Sequence, residues 1–212
     1  YVPSFHIEML TEDIYPKMID IRTQKLEIMM ADMDTDPLIR LQYASKKSGL
    51  ANSWKRWQGE IRGLENLNTI QNKKEYEEAF QKWAGSNPQR AEMYGGILPE
   101  YEEVYDALKG YNFIQQYTGE AFGSRGAEAV SMAGYMDVLV QAVEEKEKEF
   151  DGILNRIRSR ADRYFKDYNE PTDRKIFAAV MKLYDENAPR NYTPQAFTHI
   201  KQEFGGDFDK AA

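Results

Sequence analysis

Asp36-Pro37, Asn87-Pro88 and Thr193-Pro194 each set a small polar side chain directly ahead of a proline, and Asn169-Glu170-Pro171 does much the same. Such a side chain can accept hydrogen bonds from the first free N–H groups of a helix. Proline is tolerated at the first helical position because its missing N–H costs nothing there. Between these marks the apolar residues recur at helical spacing. Ile14, Met18, Ile21, Leu26 and Met29 outline an early stripe, and Ile176, Phe177, Val180, Met181 and Tyr184 a late one. Strand signals are nearly absent, with no sustained period-2 alternation. The pattern predicts helices near 13–33, 37–68, 72–85, 95–118, 125–168 and 171–187, with a short one over 194–204. The 125–168 span is expected to bend or divide, and Gly95-Gly96, Gly123-Ser124 and Gly205-Gly206 are the expected breaks. The fold class is all-α, an irregular multi-helix bundle, read as one domain over 1–212.

At 212 residues the chain is long enough to bury a real core. With 30% charged and 42% hydrophobic residues it has a soluble, globular composition. The longest apolar stretch, Tyr135 to Val143, is too short to span a bilayer, so no membrane insertion is expected. A formal charge of −7 argues against nucleic acid as a partner, because phosphate binding needs a basic face. The absence of cysteine removes disulfides, thiolate nucleophiles and cysteine-based zinc sites together. Tyr1 is not a methionine, and EFGGDFDKAA ends the chain on two phenylalanines without an evident packing partner. Both features suggest a piece of a larger protein.

The run YASKKSGLANSWKRWQGEIRGL, Tyr43 to Leu64, reads as one helix with two faces. Tyr43, Leu50, Trp54, Trp57, Ile61 and Leu64 make an apolar stripe that belongs in a core. Ser45, Ser48, Gly49, Asn52, Gly59 and Gly63 fall on another face, with Arg56 among them. Glycine inside a helix costs about 0.5–1 kcal/mol relative to alanine, so several on one face suggest a backbone approaching closely. Two readings stay open: packing of helices within the chain, or a face that meets another domain or a ligand. Asn52 bears on the choice, since its carbonyl oxygen could serve an ammonium group and a buried amide without partners is costly.

Three segments carry a resemblance. DPLIRLQYASKKSGLANSWKRWQGEIRGLENLN resembles the pattern D-P-x-[VI]-R-[IL]-Q-Y-A-S-K, small residues, then N-x-[WYF]-K-N, of the bacterial serine dipeptidyl-peptidase family of the dipeptidyl aminopeptidase BII type. FKDYNEPTDRKIFAAVMKLYDENAP and RGAEAVSMA, Arg125 to Ala133, are similar to two further helices of that family. Members are secreted or periplasmic exopeptidases that release dipeptides from peptide N-termini. Their catalytic part is a chymotrypsin-like double β-barrel, and an inserted helical domain covers the cleft. The resemblance implies that this chain is the inserted domain alone. It implies that Asn52 helps hold the substrate's α-ammonium, and that the other partner is the catalytic barrel of the same polypeptide. It also leaves room for a parent that pairs with a second copy of itself. Where the family often has Asn after the motif's lysine, this chain has Arg56.

No catalytic residue is expected within the chain. The two histidines are His6 and His199, and no G-x-S-x-G or other nucleophile context accompanies them. His199 stands at helical spacing from Glu203, but one such pair is not a metal site, and no metal or cofactor is expected. EEKEKE, Glu144 to Glu149, reads as a solvated face. NRIRSRADR, Asn155 to Arg163, is locally basic and reads as a solvated or internally paired face that could touch an acidic partner. YNFIQQYTGEAF, Tyr111 to Phe122, fits a helix packed through Phe113, Ile114 and Tyr117. The rival functional reading is an independent helical scaffold that binds protein partners and belongs to no enzyme.

Overall fold

The stripes fold as their spacing requires. In the computed structural model Ile14, Met18, Ile21, Leu26 and Met29 are all buried, as are Ile176, Val180, Met181 and Tyr184. The structure describes residues 1–123, 125–144 and 150–212, and among them every element is helical. A short helix α1 (Ser4–Glu8) passes through a π-helical turn (Met9–Ile14) into α2 (Tyr15–Thr35). Then come α3 (Pro37–Asn66), α4 (Thr69–Gly85), α5 (Pro88–Tyr94) and α6 (Ile97–Phe122). The remainder is α7 (Glu128–Glu144), α8 (Phe150–Lys166), α9 (Glu170–Asn187), a 3-10 turn (Arg190–Tyr192), α10 (Gln195–Phe204) and α11 (Phe208–Ala211). The long 125–168 span does divide, into α7 and α8.

Most of the punctuation does what its chemistry predicts. The Asp36 carboxylate accepts the Leu38 N–H at 2.7 Å as α3 begins. Asn87 accepts from Gln89 and Arg90 at the start of α5, and Asn169 from Thr172 at the start of α9. Thr193 is the exception. Pro194 itself occupies the N-cap of α10, and no side chain caps that helix. Gly205 and Gly206 adopt φ of +64° and +81°, closing α10 in a conformation that favours glycine. At Gly126 a Cβ would stand 2.0 Å from the Ala121 carbonyl oxygen, so the turn into α7 admits nothing larger. The residues before Ile14 lack a long apolar stripe, which is why their helical course was not legible.

Contacts group the chain into two compact units, residues 1–20 with 53–116 and residues 21–52 with 117–212. In the first, the Glu77 carboxylate on α4 holds the chain's start, accepting from the Tyr1 hydroxyl, the Ser4 N–H and the Ser4 hydroxyl at 2.6–2.8 Å. Tyr15 stacks on Trp57, and Phe5 and His6 both meet the Tyr105 ring.

In the second unit, aromatic rings form the centre. Tyr184 on α9 contacts Tyr117, Phe122 and Phe197 with centroids 5.2–5.7 Å apart. Phe208 meets Phe197 edge-on at 6.0 Å, so one of the two C-terminal phenylalanines does find a partner within the chain. Beside this aromatic core lies a buried ionic knot. Arg22 Nη2 and Nε reach Glu120 at 2.5 and 2.8 Å, and Arg22 Nη1 donates to the Leu50 carbonyl of α3 at 2.8 Å. Lys25 donates to the carbonyls of Glu120 and Arg125. Burial lowers the Lys25 pKa to about 8, against the pull of Glu120. The Glu120 carboxyl sits below its ordinary value. Burial would raise it, but the hydrogen bonds and charges of Arg22 and Lys25 outweigh that.

Candidate functional site

Helix α3 presents the two faces its sequence predicts, and of the two uses left open for the small-residue face, close packing within the chain is not seen at its glycines. Tyr43, Leu50 and Trp57 are buried, and Trp54, Ile61 and Leu64 are half-buried. Ser45, Ser48, Gly49, Asn52, Arg56 and Gly59 are exposed, and Gly63 is half-buried. A Cβ built on Gly49, Gly59 or Gly63 would meet nothing within 4 Å. The close backbone approach expected of these glycines is therefore absent among the described residues. They carry their helix-propensity cost without a packing return from it.

Asn52 lies three residues beyond Gly49 on that open face, within the second unit. Its side chain is exposed and makes no hydrogen bond to another described residue. Both amide hydrogens and the carbonyl oxygen are left for solvent or a ligand. Arg56, one turn on, pairs with Glu60 at 3.3 Å.

Next to Gly49 the surface sinks into a recess of about 480 Å³, walled by Ser45, Lys46, Gly49 and Leu50 on one side and Arg125 and Glu128 on the other. Its floor is fixed by charge. Lys46 Nζ lies 2.8 Å from each Glu128 oxygen and also donates to the Asp167 carbonyl. The same ammonium sits 4.4 Å above the Tyr43 ring. Asp173 on α9 closes the arrangement by accepting the Glu128 N–H at 2.6 Å and the Ala129 N–H at 2.9 Å, a carboxylate at the N-terminus of α7. Burial nonetheless raises the pKa of both acids. At Asp173 it exceeds the help from the two N–H groups and Lys46, and at Glu128 it exceeds the help from Lys46.

The model of the peptidase S46 family matches residues 1–212. The chain belongs to that family. It is 32% identical over 203 residues to an Asp/Glu-specific dipeptidyl-peptidase of Flavobacterium psychrophilum, covering 95% of this chain and 28% of that protein. It is 32% identical over 214 residues to a dipeptidyl-peptidase 7 of Porphyromonas gingivalis, covering 100% of this chain and 28% of that one. A dipeptidyl-peptidase 7 of Capnocytophaga gingivalis is 30% identical over 220 residues, covering 100% and 29% respectively. The peptidase S46 chain thus spans little more than a quarter of the length of these curated relatives.

Each segment on which the sequence resemblance rests contributes to one network. Lys46 comes from the α3 motif, Glu128 from Arg125–Ala133, and Asp167 and Asp173 from the stretch Phe165–Pro189. This convergence was missed from sequence. No local signal in the sequence announces it, because each segment carries several charged residues and the pairing is set by tertiary contact.

The other candidates suggested by the sequence do not join this site. His6 is half-buried against Tyr105, its Nδ1 has no hydrogen-bond partner among the described residues, and burial lowers its pKa. His199 is exposed on α10. Ile114 and Tyr117 are buried and Phe113 half-buried, in line with the packing expected of them. In the basic run, Arg156, Arg158, Arg160 and Arg163 are exposed and form no ion pair among the described residues. Of EEKEKE only Glu144, which is exposed, is described; 145–149 lie outside the described residues. Among the described residues no helix is long and apolar enough to cross a membrane.

Proposed function

We propose that this chain is the non-catalytic helical insert of a serine-type dipeptidyl-peptidase, which it helps to recognise substrate N-termini and to close the cleft. The family membership supports a peptidase parent, and the short span of the relatives supports a part of one. The observation that carries the specific role is Asn52: a solvent-facing amide without an intramolecular partner among the described residues, on a helix face whose glycines leave open space.

The chemistry follows from charge. A peptide's α-amine has an unperturbed pKa of roughly 8 and is largely protonated at neutral pH. The Asn52 carbonyl oxygen accepts one N–H of that ammonium, and an aspartate from the catalytic part supplies the countercharge. An N-acylated terminus has no charge to offer and leaves these groups unpaired, which is how polar sites reach strong discrimination. The bare face beside Asn52 gives room for the catalytic barrel or the extended substrate, and the helical body blocks chain continuation beyond the terminus. Catalytic serine, histidine and aspartate come from the rest of the polypeptide in this reading. The setting is periplasmic or secreted, as for the family.

The test uses the parent enzyme with paired substrates, one free and one acetylated at its N-terminus. Strong preference for the free amine that shrinks on Asn52→Ala supports the role. A preference unaltered by the substitution contradicts it.

A further inference from the structure

We propose a second binding site, for a carboxylate carried by a peptide, in the recess between α7 and α8. It does not depend on Asn52 binding an ammonium. Near the 144–150 connection the two helices share an apolar seam of Ala142, Ile153 and Ile157, with Leu139 and Phe150 against it. Along α8 the inner stripe runs Ile153, Ile157, Ala161 and Tyr164, with the exposed Arg160 and Arg163 beside it.

There the seam opens into a recess of about 400 Å³, with Ser131, Met132 and Tyr135 from α7 facing Arg160, Arg163 and Tyr164 from α8. The Arg160 guanidinium lies over the Tyr135 ring, 3.9 Å from its centroid, which restrains the fork before any ligand arrives. Neither arginine forms an ion pair or a side-chain hydrogen bond with another described residue. The one acid on the lining, Glu128, already has an ammonium 2.8 Å from each of its oxygens, that of Lys46. Two uncompensated positive charges therefore face one small cavity in a chain whose formal charge is −7.

Guanidinium forks match carboxylates in a bidentate, planar fashion. The Ser131 hydroxyl adds a donor, and Met132, Tyr135 and Tyr164 offer apolar walls to the methylenes that carry a side-chain carboxylate. A peptide carboxylate fits this mixed lining better than a free inorganic anion, which has no use for the walls.

The test titrates the 212-residue chain with four probes while following the arginine Nε–H resonances. They are Ac-Ala-Glu-Ala-NH2, its glutamine analogue, Ac-Ala-Ala-Ala-OH, and inorganic phosphate. Saturable binding of either carboxylate peptide, at least tenfold tighter than the glutamine analogue, supports the site, and the tighter of the two names the source of the carboxylate. Arg163→Gln should weaken that binding tenfold or more. Because Arg163 makes no ion pair or side-chain hydrogen bond with another described residue, its loss should leave the fold intact by circular dichroism. Arg156→Gln with Arg158→Gln removes twice as much charge from α8, all of it outside the recess, and should change affinity by less than twofold. Equal binding of the glutamine analogue, equal binding of phosphate, or equal loss in the outside pair of variants would overturn the proposal.

Discussion

The Lys46 ammonium on α3 and the Glu128 carboxylate at the start of α7 meet in two contacts of 2.8 Å, one to each oxygen. The pair is only partly exposed, with side-chain accessibilities of 27% and 22%. It joins the helix that carries Asn52 to the turn that lines the neighbouring recess. Lys46→Met should leave a half-buried carboxylate without its cation and cost roughly 1–3 kcal/mol of stability. Glu128→Gln, which removes the charge as well, should cost less. Urea unfolding of the two variants checks the order, and a smaller loss for Lys46→Met would contradict it.

Asp173 gives a related prediction. Both its oxygens accept N–H groups at the first turn of α7. Asp173→Ala should cost about 1–2 kcal/mol, the usual range for losing a cap, and Asp173→Asn less. Amide hydrogen exchange should localise the loss to residues 128–132. Uniform loss of protection over the whole unit would show that the residue acts elsewhere.

Lys25 makes stability depend on pH in a defined direction. Its folded pKa is lowered to about 8 from an ordinary 10.5, chiefly by burial. Between these values the unfolded chain binds the additional proton, so this group makes stability rise with pH, by at most about 1.4 kcal/mol per unit. Below about 8 both states are protonated and the dependence vanishes. Subtracting the stability curve of Lys25→Met from that of the wild type should isolate a rise confined to that window. Parallel curves would contradict it.

The glycines of α3 separate the needs of the chain from those of a larger assembly. A methyl group at Gly49, Gly59 or Gly63 meets nothing, so each alanine should stabilise the 212-residue chain by roughly 0.5–1 kcal/mol. If the face is covered in the parent enzyme, the same alanines should lower its activity. Thermal unfolding of the chain and turnover by the parent give the two halves of the comparison.

Helix positions and core were legible because both follow from spacing. The Ile14–Met29 and Ile176–Tyr184 stripes, the caps at Asp36, Asn87 and Asn169, and the breaks at Gly95 and Gly205 needed no tertiary information. What escaped was set by tertiary contact. No local signal says that Arg22 and Lys25 will share Glu120 across about a hundred residues, or that Lys46 will find Glu128. The face of α3 was half-legible. Its composition shows that the glycines are unusual, but only coordinates reveal that a Cβ at Gly49, Gly59 or Gly63 would meet nothing within 4 Å. Thr193 failed as a cap because Pro194 took the capping position.

The central claim is that the Asn52 amide receives the substrate's α-ammonium. Its most direct measurement is kcat/KM for a free-amine dipeptidyl substrate, with the parent enzyme compared with its Asn52→Ala variant. A fall of about tenfold or more is predicted, with chain stability changed by no more than about 0.5 kcal/mol, as expected at an exposed position without intramolecular bonds. An unchanged kcat/KM in a folded variant would contradict the account.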